Sequence, residues 1–67
     1  MDNRIPELRK DHGWSQQKLA DALGVSRQTI ISIEKGRFDP SLPLAFRLAA
    51  LFDRPIEDIF TPAEPEG

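Results

Sequence analysis

Apolar residues recur every three or four positions along most of this chain, and each run is closed by a glycine or a proline. A first helix is expected from about Asn3 to His12. Ile5, Leu8 and His12 fall on one face with Arg9 beside them, while Glu7, Lys10 and Asp11 lie opposite. Pro6 is tolerated only in the first turn of such a helix, and Gly13 stops it. Ser15 is placed to cap a second helix, Gln16 to Leu23, whose inner side is Leu19, Ala20 and Leu23. Ser26 caps a third, Arg27 to Lys35, with Ile30 and Ile33 inward and Thr29 at the edge. After a loop at Arg37-Phe38-Asp39-Pro40, Ser41 caps a fourth helix that carries Pro43 near its start and runs to about Phe52. A short last helix covers about Ile56 to Phe60, and no segment alternates as a strand would. The expected fold is therefore all-α, with five helices joined by short connections.

Length narrows this further. A chain of 67 residues holds one domain with a marginal core, and small folds of this kind usually add a disulfide, a metal or a partner chain. With no cysteine and a single histidine, neither a disulfide nor a four-ligand zinc site can form. What remains is close helix packing reinforced by dimerisation. The domain is expected to span residues 1–60, followed by a frayed acidic tail at 61–67 rich in proline and glutamate. There is no apolar run long enough to cross a membrane and no signal-peptide pattern at the start, which fits a cytoplasmic protein with no membrane partner.

The window Gln16 to Lys35 carries the functional signal. Helix, Gly24, Val25, Ser26, helix is the layout of a helix-turn-helix. Ala20 is small where two steeply crossing helices touch, and Gly24 sits where the chain must turn sharply. The segments Trp14-Ser15-Gln16-Gln17-Lys18-Leu19-Ala20, Leu23-Gly24-Val25-Ser26-Arg27-Gln28-Thr29-Ile30 and Ile33-Glu34-Lys35-Gly36 resemble the Xre family, the lambda-repressor-like, Cro-type regulators. The resemblance continues through Asp39-Pro40-Ser41-Leu42 and Leu48-Ala49 to Ile56-Glu57-Asp58-Ile59-Phe60. It implies a compact five-helix domain whose third helix enters the DNA major groove, and a sequence-specific transcriptional regulator of double-stranded DNA.

The helical wheel agrees. Opposite Ile30 and Ile33, the third helix presents Gln28, Ser32 and Lys35, flanked by Arg27 and Ile31, with no acid at the centre of the face. Glutamine can pair bidentately with adenine and arginine with guanine, and Ile31 can meet a thymine methyl. By resemblance, Ser26, Arg27, Gln28 and Ser32 match base-reading positions. Gln16 matches a phosphate contact at a helix N-terminus, where free amides favour an anion. Lys35 and Arg37 are further phosphate candidates, with Lys18 on the outer side of its helix a weaker one. The resemblance also implies an ion pair between Arg9 and Glu34. His12 is expected to act by packing or by favourable contact with a helix end, and Trp14 to pack at the core edge.

The fourth helix is too apolar for one core face, since its apolar residues span about 220° of the wheel. If Leu42, Ala45, Leu48, Ala49 and Phe52 fill the core, Leu44, Phe46 and Leu51 are left as candidates for a homodimer contact. The other reading is that Ile56, Ile59 and Phe60 cover them within one chain. No grouping of residues supports catalysis, a metal or a cofactor, so no enzyme activity is expected. The formal charge of −2 at first opposes a DNA partner. It is, however, the average of two unlike parts: residues 4–47 hold eight bases against five acids, whereas residues 48–67 hold one base against five acids. The expected protein is thus a regulator, most simply a repressor, binding a short inverted repeat as a dimer. A restriction-modification controller is a variant of that reading. An antitoxin with a toxin as protein partner is the alternative on the same fold.

Overall fold

A computed structural model describes residues 1–62. In chain order it contains β1 (Asp2–Asn3), α1 (Ile5–Asp11), α2 (Gln16–Leu23), α3 (Arg27–Glu34), α4 (Leu42–Phe52), α5 (Ile56–Ile59) and β2 (Phe60–Thr61). Three serines set three of the helix starts. The Ser15, Ser26 and Ser41 hydroxyls accept the backbone N–H groups of Lys18, Thr29 and Leu44 at 3.0, 3.1 and 3.3 Å. Each satisfies an amide that has no partner inside its own helix.

The helices enclose one core. Ile5 and Leu8 of α1 meet Leu19, Ala20 and Leu23 of α2 and Ile30 and Ile33 of α3. Leu44, Ala45, Leu48 and Phe52 of α4, with Ile59 and Phe60, close it. Ala20 is fully buried, as a contact between crossing helices requires. Val25, in the turn, packs against the same cluster. Gly24 makes that turn possible with φ 72°, a left-handed conformation that costs a side-chain-bearing residue strain.

All five expected helices are present. Beside them, Asp2 and Asn3 pair antiparallel with Thr61 and Phe60, a short ribbon that was not expected. Two-residue strands carry no alternation to read. The same pairing delays α1 to Ile5, with Arg4 N–H bonded to Ile59 O at 2.8 Å. It also places Thr61 in a strand instead of a tail; the remainder of the expected tail, residues 63–67, lies outside the described residues.

A correction concerns the phase of α4. Leu44, expected at a dimer contact, is buried at 8% exposure, whereas Leu42, expected in the core, is 66% exposed. A helix apolar nearly all round leaves its rotation to be chosen by its neighbours, and contact with the core turns Leu44 inward. Leu51 is half-buried and packs against the core. Of the three residues set aside for a dimer, only Phe46 is well exposed, at 58%.

Candidate nucleic-acid interface

The outward face of α3 is built from its register. With Ile30 and Ile33 locked inward, Arg27, Gln28 and Lys35 stand exposed, and Ile31 and Ser32 are half-buried. Ile31 does not pack against the core. Ser26 is exposed, but its hydroxyl already accepts the Thr29 N–H and shares a 2.9 Å hydrogen bond with the Thr29 hydroxyl. Its work is therefore mainly to cap α3. Among the described residues, the Gln28 carboxamide and the Ser32 hydroxyl make no side-chain hydrogen bond within the protein, so both remain available to a ligand.

Next to this face lies a cleft at the N-terminus of α2, lined by Arg9, Ser15, Gln16, Gln17 and Arg27. Two of these residues, Arg9 and Gln16, belong to a polar network around Glu34. Arg9 Nε donates to Glu34 Oε2 at 2.9 Å, and Arg9 Nη1 donates to the Trp14 carbonyl at 2.9 Å. Gln16 Nε2 donates to Glu34 Oε1 at 3.1 Å. The expected Arg9–Glu34 ion pair is present, and both side chains are largely buried, at 12% and 7% exposure. Glu34 thus holds three elements together: α1 through Arg9, the start of α2 through Gln16, and α3 on which it stands. Fixing Gln16 in this way orients it at the end of α2, where the free amides and the helix dipole favour an anion.

The other cations are placed less alike. Lys35 is the C-cap of α3, and Arg37 follows it, exposed, with its N–H on Ser32 O at 3.0 Å. Lys18 is exposed beside Asp21 and Ala22 and does not line the cleft. Arg4 is engaged by Glu7 at 2.6 Å; that hydrogen bond and the Glu7 charge raise the guanidinium pKa above its ordinary value. Glu34 on α3 is engaged by Arg9, and Asp39 in the loop after it by the Met1 ammonium at 3.5 Å. The face is therefore more basic in effect than the net charge of the chain suggests.

His12 and Trp14 sit apart from this surface. Their rings stack at 4.4 Å with 22° between planes, and both tilt against Phe52. Trp14 packs at the core edge, as expected. Sequence reading missed Phe38. This loop residue is 51% exposed and borders the same depression as Gln28 and Ser32. A phenylalanine two residues beyond the glycine that ends α3 was the available signal.

The profile of the helix-turn-helix family matches residues 5–59. The chain belongs to the helix-turn-helix family. Among its relatives is an HTH-type transcriptional regulator of Methanocaldococcus jannaschii, 57% identical over 60 residues that cover 90% of this chain and 91% of the relative. A Bacillus subtilis regulator of the same description is 47% identical over 90% of this chain and 91% of its own length. The restriction-modification controller protein C.AhdI from Aeromonas hydrophila superposes with a TM-score of 0.75 at 33% identity, covering 85% of this chain and 86% of that one. These similarities give the helix-turn-helix protein a lambda-repressor-like fold and make it a DNA-binding transcriptional regulator, not an enzyme. Within the helix-turn-helix, α2 and α3 are the two helices and Gly24-Val25-Ser26 the turn. No helix among the described residues is long and apolar enough to cross a membrane.

Proposed function

We propose that this regulator represses transcription by binding, as a homodimer, a short inverted repeat in double-stranded DNA. The observation that carries the reading is the acid-free outward face of α3 beside the cleft where Glu34 fixes Gln16. In this reading Arg27, Gln28, Ile31 and Ser32 meet base edges in the major groove, with a lesser part for Ser26. Gln16, Lys35 and Arg37 meet phosphates and set the register, and Arg27 can also reach the phosphate at the α2 cleft. Lys18 adds only long-range attraction. With few cations on this side, non-specific affinity and its salt dependence should be modest for a DNA binder.

Exposed Leu42 and Phe46 support the dimer. Leu42 also borders a mainly apolar groove lined by Met1, Pro40, Ala45, Ile56 and Phe60, together with the acid Asp39, into which an aromatic side chain of a second copy can fit. Two copies would then present their third helices to half-sites about one helical turn apart, roughly 34 Å. Promoter occlusion follows from such binding without an effector ligand. The likeness to a restriction-modification controller supports a narrower form of the same reading, control of restriction-modification genes, which the neighbouring genes test directly.

The decisive experiment is selection of bound sites from random duplexes, followed by titration at two salt concentrations. An enriched inverted repeat bound by two chains is the expected result. Failure to enrich any sequence would overturn the reading, and a one-to-one complex on a palindrome would overturn the dimer.

A further inference from the structure

We infer that Phe38 is a specificity-determining residue of the DNA surface, its ring forming an apolar wall that takes the 5-methyl group of a thymine. The inference rests on the proposed DNA reading and deepens it. Of the four phenylalanines, Phe52 and Phe60 are in the core, and Phe46 belongs to the apolar side of α4. Phe38 has no such place. It is half exposed on the α3 side, where burial would contribute to stability and exposure does not.

The loop geometry fixes where it stands. Gly36 adopts φ 74° and its N–H bonds Ile33 O at 2.9 Å, while the Arg37 N–H bonds Ser32 O at 3.0 Å. These two bonds form a Schellman turn, which folds the loop back along the last turn of α3. Phe38 consequently borders one shallow depression with Ser26, Gln28, Thr29 and Ser32. Two of these, Ser26 and Thr29, spend their hydroxyls on each other and on the cap. Gln28 and Ser32 keep free polar groups beside the ring. A carboxamide that can pair with adenine, set next to an apolar wall, suits a base step that offers an adenine edge and a thymine methyl together.

The test uses the full chain and the selected operator. Each thymine of a half-site is replaced in turn by deoxyuracil, which removes the methyl alone. Affinity is then measured for the wild type, Phe38→Ala and Phe38→Leu. At one position the wild type should lose about fourfold on deoxyuracil, the factor for one methyl-sized group removed from water. Phe38→Ala should lose about as much on the thymine operator and nothing further on the deoxyuracil one, while Phe38→Leu should keep most of the methyl sensitivity. A methyl effect due to Ile31 would persist in Phe38→Ala and would count against the inference. So would an equal loss on both operators, or a wild type indifferent to every methyl; that last result decides the matter even if Phe38→Ala fails to fold. An enriched operator with such a pattern sinks this inference alone, whereas no enriched operator sinks the DNA reading with it.

Discussion

Arg9 of α1 and Glu34 of α3 meet at 2.9 Å, and the same carboxylate holds Gln16 at 3.1 Å. One side chain therefore both pairs with Arg9 and fixes Gln16, and the two effects can be separated by mutation. Glu34→Ala strands a largely buried guanidinium and is expected to cost about 3–5 kcal/mol, enough to unfold much of a domain this small. The double variant Arg9→Met with Glu34→Leu removes both charges and should recover most of that stability. It should still bind DNA more weakly than the wild type, because Gln16 is no longer held. Urea unfolding followed by Trp14 fluorescence, paired with DNA titration, checks both halves.

Gly24→Ala and Gly36→Ala should differ in cost. At Gly24 an added Cβ meets nothing closer than Arg47 at 3.8 Å, so the penalty is that of the left-handed backbone, about 1–2 kcal/mol. At Gly36 the same backbone penalty is joined by a contact of 3.3 Å to the Met1 carbonyl. Thermal melting should rank Gly36→Ala below Gly24→Ala. The reverse order would contradict the packing of the N-terminal segment on the end of α3.

The proposed reading gives Gln28 and Lys35 different tasks. Gln28→Ala is expected to lose discrimination at one base pair by about 1–3 kcal/mol while keeping non-specific affinity. Lys35→Ala should weaken binding evenly across sequences and reduce the salt slope by about one. Equal behaviour of the two variants in competition titrations at two salt concentrations would contradict these roles.

Phe46→Glu tests the dimer without touching the core, because Phe46 is 58% exposed. The variant should keep the helix content of the wild type, sediment as a monomer and bind an isolated half-site unchanged. Its binding to the full repeat should lose cooperativity. If it still sediments as a dimer, the apolar side of α4 is not the interface.

What the sequence made legible follows from local rules. Ser15, Ser26 and Ser41 could be read as caps because an N-cap is decided within three residues. Gly24 could be read as the turn because few other residues tolerate its φ. The inward registers of α2 and α3 followed from spacing alone. The missing parts depend on distant neighbours. Asp53 ends α4 at φ 55° although it is not a glycine, a conformation no local pattern announced. Leu42 and Leu44 exchanged places because α4 is apolar on nearly every side. At the site, Gln16 could be placed at the start of α2 but not on Glu34, since that bond spans 18 positions. Phe38 could be placed in a loop but not beside Gln28, since that requires the direction in which the Schellman turn sends the chain.

Asn3 ties together parts of the chain that are far apart in sequence. Its amide donates to Ile33 O at 2.8 Å, its carbonyl oxygen accepts the Ile5 N–H at 3.1 Å, and its backbone pairs with Phe60. Closing that ribbon means bringing together residues nearly a whole chain length apart, so it must follow the local docking of α2 on α3 in time. A contact made after the folding barrier acts as a latch: Asn3→Ala should speed unfolding in stopped-flow measurements and leave the folding rate almost unchanged. The lifetime of the folded regulator, and with it the lifetime of α3 in its proposed reading position, is then governed by a residue whose bonds go to Ile33, Ile5 and Phe60 and to none of the proposed DNA contacts.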